Sequence, residues 1–222
     1  MKPGHYLVFS FDDGVQDDVQ LVALLNRYQF RATFFLNGLF DEQSPAFHDE
    51  GATVLHLPHD ILKSLYHGHD VAVHSWSHPK LADLSDQEIR EELNRCEQWI
   101  QTTLGQKPVG LAYPFGVYDS RVVDIARQLG YRYGRTIEQA KDYSLSQDPL
   151  IHHPTAHFLC PDFDDIVQSF LSTPLNGQAL ILHFWGHSYE LTGHHCWDVF
   201  QDRLASLKQH NELINVTLNE VF

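Results

Sequence analysis

The chain has 222 residues, of which 43% are hydrophobic and 20% charged, and its formal net charge is -14. This length and composition predict a single α/β domain, residues 1–222, with enough apolar material for a core. An acidic chain lacks the Lys- and Arg-rich surface that phosphate backbones require, which argues against nucleic acid as a partner. No run of eighteen apolar residues occurs, so no membrane span is expected.

The N-terminus enters an apolar segment of only about five residues, which is too short for the apolar region of a signal peptide. A full-length chain is therefore expected in the cytoplasm, whereas a chain trimmed after a signal would be periplasmic or secreted. The sequence leaves the oligomeric state open.

Short apolar runs alternate with amphipathic stretches, a pattern typical of parallel strands joined by helices. The first half reads in the order strand 6–11, helix containing Val19 and Val22, strand 32–36, loop 38–58, helix 60–66 and strand 70–73. The second half continues with a helix starting at the Ser85 and Glu88 capping box, strand 109–112, helix 119–129, strand 131–135, an irregular segment to about 160, helix 161–171, strand 179–184, helix 196–209 and strand 213–216. About seven parallel strands predict a distorted (β/α) barrel, whose reactive groups lie where strands end.

Polar residues follow several of these predicted strands. Asp12 and Asp13 end the first strand, His74 ends the third, and His183 lies at the end of a late one. Parallel strands would bring all of them to one face of the barrel. The alternatives are an Asp-Asp-Gly turn that only caps the next helix, and a core histidine with satisfied hydrogen bonds.

The sixteen histidines of the chain include a pair, His74 and His78, at positions i and i+4. On one helical turn this spacing would direct both imidazoles to the same side, close enough to share a metal ion. Asp12 or Asp13 would supply a third ligand and leave a position open for water. The other carboxylate would act as a base toward that water, and His183 would protonate the leaving amine.

These motifs together resemble the polysaccharide deacetylases, carbohydrate esterase family four. The segments that match the first, second and fifth family motifs are Ser10-Phe11-Asp12-Asp13-Gly14, His74-Ser75-x-x-His78 and Leu182-His183. The resemblance implies Asp12 as the base, Asp13, His74 and His78 as metal ligands, and His183 as the general acid. It favours Zn²⁺ as the cofactor, with Co²⁺ or Ni²⁺ also compatible.

Two family motifs are altered. Where the family often has Arg-Pro-Pro-Tyr-Gly, this chain has Ala112-Tyr113-Pro114-Phe115-Gly116, so Ala112 stands in the place of an arginine that usually orients the base. The resemblance implies that the backbone N–H of Phe115 contributes to the oxyanion site. Tyr113 is expected in the same oxyanion and substrate-binding group. The fourth motif is not recognisable, and Asp148 and His157 are the candidates for its place. Trp185 would form the floor of an acyl or sugar pocket, with His187 one layer of contacts away.

The leading prediction is a metal-dependent hydrolase that removes N-acetyl groups from a GlcNAc-containing glycan or its precursor. One alternative is a hydrolase of another non-peptide C–N bond in a small amide. The other is a non-catalytic glycan-binding homologue. Residues 38–58 and 142–161 are expected to form substrate-shaping loops.

Overall fold

The computed structural model describes residues 1–222 and contains one curved parallel sheet with helices on its outer face. The strands are β1 Gly4–Asp13, β2 Thr33–Leu36, β3 Phe47–Asp49, β4 Ala52–Val54, β5 Asp70–Val73, β6 Gly110–Ala112, β7 Tyr133–Arg135, β8 Ala156–His157, β9 Ala179–Gly186 and β10 Leu213–Asn215. The helices are α1 Asp18–Arg27, α2 Leu62–Leu65, α3 Asp86–Leu104, α4 Ser120–Leu129, α5 Phe163–Ser172, α6 Ser188–Gly193, α7 Trp197–Leu207 and α8 Leu218–Val221.

Seven strands lie side by side in the order β7-β6-β5-β2-β1-β9-β8, and β10 pairs with the first residues of β1. Every pairing in this sheet is parallel. The segment that leads into β8 also pairs with the opposite edge, because His152 forms a bridge to Arg135 of β7. The prediction of about seven parallel strands in a distorted (β/α) barrel is confirmed.

Alternation along the strands divides the apolar residues between two faces of the sheet. A cluster of 10 buried residues, including Val8, Phe35, Ala72 and Ile181, fills the inside of the curve, and α8 contributes Leu218 to it. A larger cluster of 41 buried residues packs between the outer face and the helices. Because the even-numbered residues of β1 point inward, Ser10 and Asp12 enter the barrel while Phe9 and Phe11 face the helices.

The best-specified helix is α3. Ser85 accepts a hydrogen bond from the Glu88 backbone N–H while the Glu88 carboxylate accepts one from the Ser85 backbone N–H, so the predicted capping box is present. Gly105 ends the helix in the left-handed conformation at φ 74. No helix combines the length and the apolar character that crossing a membrane requires.

The sequence interpretation missed several short elements. Segment 38–58, predicted as a loop, contains the antiparallel hairpin β3–β4, and the irregular segment before residue 160 contains β8. The helices α6 and α8 were also not predicted. Elements of two to six residues carry too little periodicity to be recognised, and tertiary contacts determine them instead.

Candidate active site

Three of the predicted side chains form a cluster that could hold a metal ion. The ligand atoms of Asp13, His74 and His78 all lie within 4.8 Å of one another. The two histidine Nε2 atoms are 3.2 Å apart, and Asp13 Oδ1 is 3.7 Å from each of them. Two imidazoles and one carboxylate at one end of the barrel form a donor set that fits Zn²⁺, and Co²⁺ or Ni²⁺ fit it as well.

The backbone around this cluster is not helical, which corrects the premise that His74 and His78 share a helical turn. His74 follows β5 directly, and the chain then turns through Ser75 and His78, both left-handed at φ 65 and φ 56. Asp13 is left-handed too, at φ 78. Such conformations cost energy in non-glycine residues and persist where surrounding contacts impose them. The spacing therefore selected two histidines that the structure does bring together, but the helical geometry assumed for them is wrong.

Hydrogen bonds fix the orientation of the cluster. His74 Nδ1 bonds to the backbone carbonyl of Ala112 at 3.0 Å, so its Nε2 is free to face Asp13. The Glu92 carboxylate accepts hydrogen bonds from the backbone N–H groups of Trp76 and Ser77, which holds the turn between the histidines. Burial lowers the pKa of His74 to about 4, so this imidazole is neutral at pH 7 as a ligand must be.

Asp12 lies next to the cluster and is almost fully buried, with 3% of its surface exposed. Its partner is Arg135 of β7, whose guanidinium donates hydrogen bonds to both carboxylate oxygens. Arg135 is completely buried, and its guanidinium stacks over the rings of Trp185 and Phe35. Burial raises the pKa of Asp12, but Arg135 and then His74 and His187 outweigh that effect and hold it below its ordinary value.

Arg135 takes the place of the family arginine that is missing at Ala112. Ala112 and Arg135 are direct neighbours in the register of β6 and β7. A guanidinium from the strand next to Ala112 therefore contacts Asp12, the carboxylate that the family arginine is expected to orient. No local pattern predicts this pairing, because Arg135 and Asp12 are 123 residues apart and only the strand order brings them together.

His183 lies deeper in the barrel, with 1% of its surface exposed, and is absent from the lining of the cavity at the metal cluster. Its Nε2 is 2.8 Å from Ser10 Oγ, and its Nδ1 is 2.9 Å from Nε2 of His152. His152 in turn bonds to Ser146 Oγ. Burial, with smaller effects of His152 and Arg135, lowers the pKa of His183 well below its ordinary value.

The two residues suggested for the fourth motif lie elsewhere. Asp148 caps a short turn and forms an ion pair with Arg127 on the surface. His157 contacts the carboxylate of Glu190 at 2.8 Å. The partner of the His183 ring is His152, which no pattern in the sequence singled out.

His187 lies at the cavity, with its side chain 21% exposed. Its Nε2 is 3.9 Å from Asp12 Oδ2 and 3.8 Å from Asp13 Oδ2. Its Nδ1 contacts Glu190 Oε1 at 2.9 Å. Burial would lower the pKa of His187, but the Glu190 hydrogen bond and the Asp13 and Asp12 charges raise it to about 9. Glu190, also missed by the sequence interpretation, has a pKa lowered to about 2 because hydrogen bonds from His157 and His187 outweigh its burial.

A cavity of about 740 Å³ opens over Asp12, Asp13, His74 and His78. Its walls are rich in aromatic side chains, namely Phe40, Phe47, Tyr113, Phe115, Trp185 and Tyr189. Residues of the 38–58 segment form one wall, whereas no residue of segment 142–161 lines the cavity. Phe115, left-handed at φ 58, is 55% exposed at the rim and packs on the His78 ring at 4.4 Å. The hydroxyl of the buried Tyr113 donates to the Leu150 carbonyl at 2.7 Å.

Known proteins are similar to this chain in sequence and in fold. The chain matches the sequence model described as polysaccharide deacetylase over residues 2–134. It is 33% identical to chitin deacetylase 1 of Cryptococcus neoformans over 122 residues, which cover 54% of this chain and 23% of that protein. It is 26% identical to the peptidoglycan-N-acetylglucosamine deacetylase PgdA of Listeria monocytogenes over 125 residues, 55% of this chain and 24% of that protein. The alignments thus span about a quarter of the length of these two relatives.

A family 4 acetyl xylan esterase of Clostridium thermocellum, solved with a cobalt ion, has the same fold. It superimposes with a TM-score of 0.60 at 18% identity, over 98% of this chain and 90% of the esterase. Because the family match covers more than half of the sequence, the chain belongs to the polysaccharide deacetylase family.

Proposed function

We propose that this protein is a metal-dependent hydrolase that removes N-acetyl groups from a GlcNAc-containing glycan or its precursor. The observation that carries the proposal is the cluster of Asp13, His74 and His78 beside the ionised, buried Asp12, at the base of an aromatic cavity. Two relatives in the family are named for the deacetylation of chitin and of peptidoglycan N-acetylglucosamine. Aromatic walls suit sugar rings, whose C–H faces pack on aromatic side chains.

The residues divide the work of amide hydrolysis between them. A divalent metal held by Asp13, His74 and His78 would supply Lewis-acid polarisation of the acetyl carbonyl and make a nearby water more acidic. Asp12 accepts the proton of the attacking water, and Arg135 keeps this carboxylate ionised and fixed in place. The family resemblance assigns stabilisation of the developing oxyanion to the backbone N–H of Phe115, a residue that lines the cavity. The departing nitrogen needs a proton donor, which the sequence interpretation assigned to His183.

The direct test is acetate release from N-acetylglucosamine oligomers. We expect activity to disappear with a chelator, to return with zinc, cobalt or nickel, and to fall about 100- to 10,000-fold in Asp12→Asn while metal content is unchanged. Asp124→Asn is the matched control, because this carboxylate is exposed and pairs only with Arg127. Small amides, assayed in parallel, distinguish the N-acetyl group of a glycan from another C–N bond, and acetylated xylan shows whether an O-acetyl ester is cleaved as well.

Two results would contradict the proposal. A protein that holds one metal per chain but releases no acetate from any acetylated sugar, while it cleaves a small amide, would favour the alternative C–N hydrolase. A metal-loaded protein that binds the oligomers and cleaves none of these substrates would be the non-catalytic homologue.

A further inference from the structure

The structure contains two histidines that could donate a proton to the leaving nitrogen, and they lie at different depths in the barrel. In the register of β1 and β9, His183 is paired with Val8. Asp12 lies four residues further along β1, about 13 Å of strand at about 3.3 Å per residue. His187 lies four residues beyond His183 and therefore reaches the level of Asp12. A donor must act in the same layer as the base, since both contact the same amide.

The surroundings of His183 separate it from the cavity. Its two ring nitrogens are engaged by Ser10 and His152, so neither is free to face a substrate. Trp185 lines the cavity and stacks on Arg135, whose Cζ atom is 4.9 Å from the centroid of the Trp185 ring. The inward side chains of Trp185 and Arg135 lie in the layers between His183 and the metal cluster. These contacts are those of a residue that supports the barrel interior.

The surroundings of His187 are those of a group prepared to act on a ligand. Its Nδ1 bonds to the Glu190 carboxylate, which can only accept hydrogen bonds, so this nitrogen carries a proton. Its Nε2 faces the cavity within 4 Å of carboxylate oxygens of Asp12 and Asp13. Glu190 also accepts a hydrogen bond from the His187 backbone N–H at 3.2 Å and contacts His157 Nε2 at 2.8 Å. Glu190 therefore fixes the ring through Nδ1, while Nε2 remains directed into the cavity.

The segment that carries His187 is itself anchored. Ser188, the next residue, is completely buried and its hydroxyl donates to Asp18 Oδ1 at 2.5 Å. Tyr66 donates to the other oxygen of the same carboxylate at 2.6 Å. Since Asp18 belongs to α1, which directly follows the Asp12-Asp13 turn, His187 and the two aspartates are fixed relative to one another.

We propose that His187, oriented by Glu190, is the catalytic proton donor, and that His183 is a buried positioning residue beneath Asp12. This inference rests on the proposed function. Water attack forms the new C–O bond at the acetyl carbon, and the water proton moves to Asp12. The C–N bond then breaks, its electron pair goes to nitrogen, and nitrogen takes the proton from His187 Nε2. The products are acetic acid and a free amine. Asp12 then loses its proton and His187 regains one from solvent.

The test compares leaving groups. An amine leaves poorly without a proton, whereas an activated phenolate such as that of 4-nitrophenyl acetate leaves without one. We expect His187→Ala to lower deacetylation of N-acetylglucosamine oligomers about 100- to 10,000-fold and hydrolysis of the aryl acetate about 10-fold or less. Added imidazole should restore part of the lost deacetylation. Glu190→Gln should show the same selective loss to a smaller extent, because Glu190 acts through His187, and Glu190→Asp should recover part of it.

His183→Gln is the comparison variant. It should lower the thermal midpoint and reduce the two activities by similar factors, because it disturbs the packing beneath Asp12. Metal content and thermal midpoints of all variants show whether a loss reflects misfolding. His187→Asn provides a second substitution if the alanine variant does not fold.

The assignment is overturned if His187 variants that fold and hold metal keep oligomer deacetylation within about threefold, or lose both activities equally. It is also overturned if His183→Gln alone shows the selective loss. A wild type that cleaves no acetylated sugar contradicts the proposed function instead. The same comparison between an acetanilide and the aryl acetate then decides the role of His187. A wild type inactive on all of these substrates overturns both proposals.

Discussion

Replacing Arg135 by Met tests whether a single buried ion pair stabilises both the fold and the base. Methionine keeps most of the apolar volume of the arginine stem between Phe35 and Trp185, so the loss reports on the charge. Asp12, 3% exposed, would then have two options. Leaving a buried ion without its partner costs about 3–5 kcal/mol. Taking up a proton at pH 7 from an ordinary pKa of 3.8 costs about 4 kcal/mol.

Both routes therefore predict that the free energy of unfolding falls by about 4 kcal/mol at pH 7. Urea denaturation would measure it, with a chelator present so that no cation beside Asp12 offsets the missing guanidinium. The pKa of Asp12 is lowered in the folded protein, so the stabilisation is present at neutral pH and disappears as the pH falls through that lowered value. If the variant keeps Asp12 charged, the difference between wild type and variant should shrink only below about pH 4. If the variant protonates Asp12, the difference should already shrink as the pH falls from 7.

Because Ala112 and Arg135 are neighbours in the register of β6 and β7, a second substitution can restore the lost guanidinium. In the exchange of Arg135→Ala with Ala112→Arg, the guanidinium starts from the adjacent strand, about 5 Å away, and should recover roughly half of the lost stability. Arg127→Met is the matched control, because this arginine is 50% exposed and its ion pairs are worth about 1 kcal/mol or less. A loss below about 1 kcal/mol in Arg135→Met, or an equal loss in the control, would refute the reasoning.

Three further outcomes are expected from other parts of the molecule. Zinc at 100 times its Kd should raise the free energy of unfolding of the wild type by about 2.7 kcal/mol in urea titrations, and should leave that of Asp13→Asn unchanged. An equal gain in both proteins would contradict the assignment of Asp13 as a ligand. Burial raises the pKa of Asp70 to about 6, so its charged form destabilises the fold above that pH. Asp70→Asn should therefore raise the free energy of unfolding by up to about 3 kcal/mol at pH 8, and this gain should decrease as the pH falls toward 4. No gain at pH 8 would refute the raised pKa of Asp70. Ser85→Ala removes the cap of α3 and should cost about 1 kcal/mol in the same titration, whereas an exposed substitution such as Gln87→Ala should not.

Much of the fold and part of the site could be predicted because they depend on local patterns. The strand-end positions of Asp12, Asp13 and His74 follow from apolar runs that stop at polar residues, and the capping box of α3 lies within four residues. Continuous apolar runs such as β1 and β9 also identify strands buried on both faces. In each case a few neighbouring residues carry the whole signal.

The remaining site residues depend on strand order and register, which local patterns do not contain. Arg135 meets Asp12 across the inside of the barrel, although β7 lies four strands away from β1 in the sheet order. His152 reaches His183 because its segment pairs with β7 on one side and leads into β8 beside β9 on the other. The contrast between His183 and His187 likewise depends on how β9 is aligned against β1, and the sequence motif alone favoured the deeper histidine.

A row formed by the buried Ser10, His183 and His152 and the half-buried Ser146 links the barrel interior to its edge through three consecutive hydrogen bonds. Burial lowers the pKa of His152 to about 3 and holds the pKa of His183 well below its ordinary value, so both rings are neutral at pH 7. A neutral imidazole has one donor and one acceptor nitrogen, so the two rings must share one tautomer and the row runs in one of two directions. Reversing it requires every proton in the row to move together. A change at Ser146, on the far side, would thereby decide whether the Ser10 hydroxyl donates its hydrogen bond to His183 or accepts one from it, two residues below Asp12.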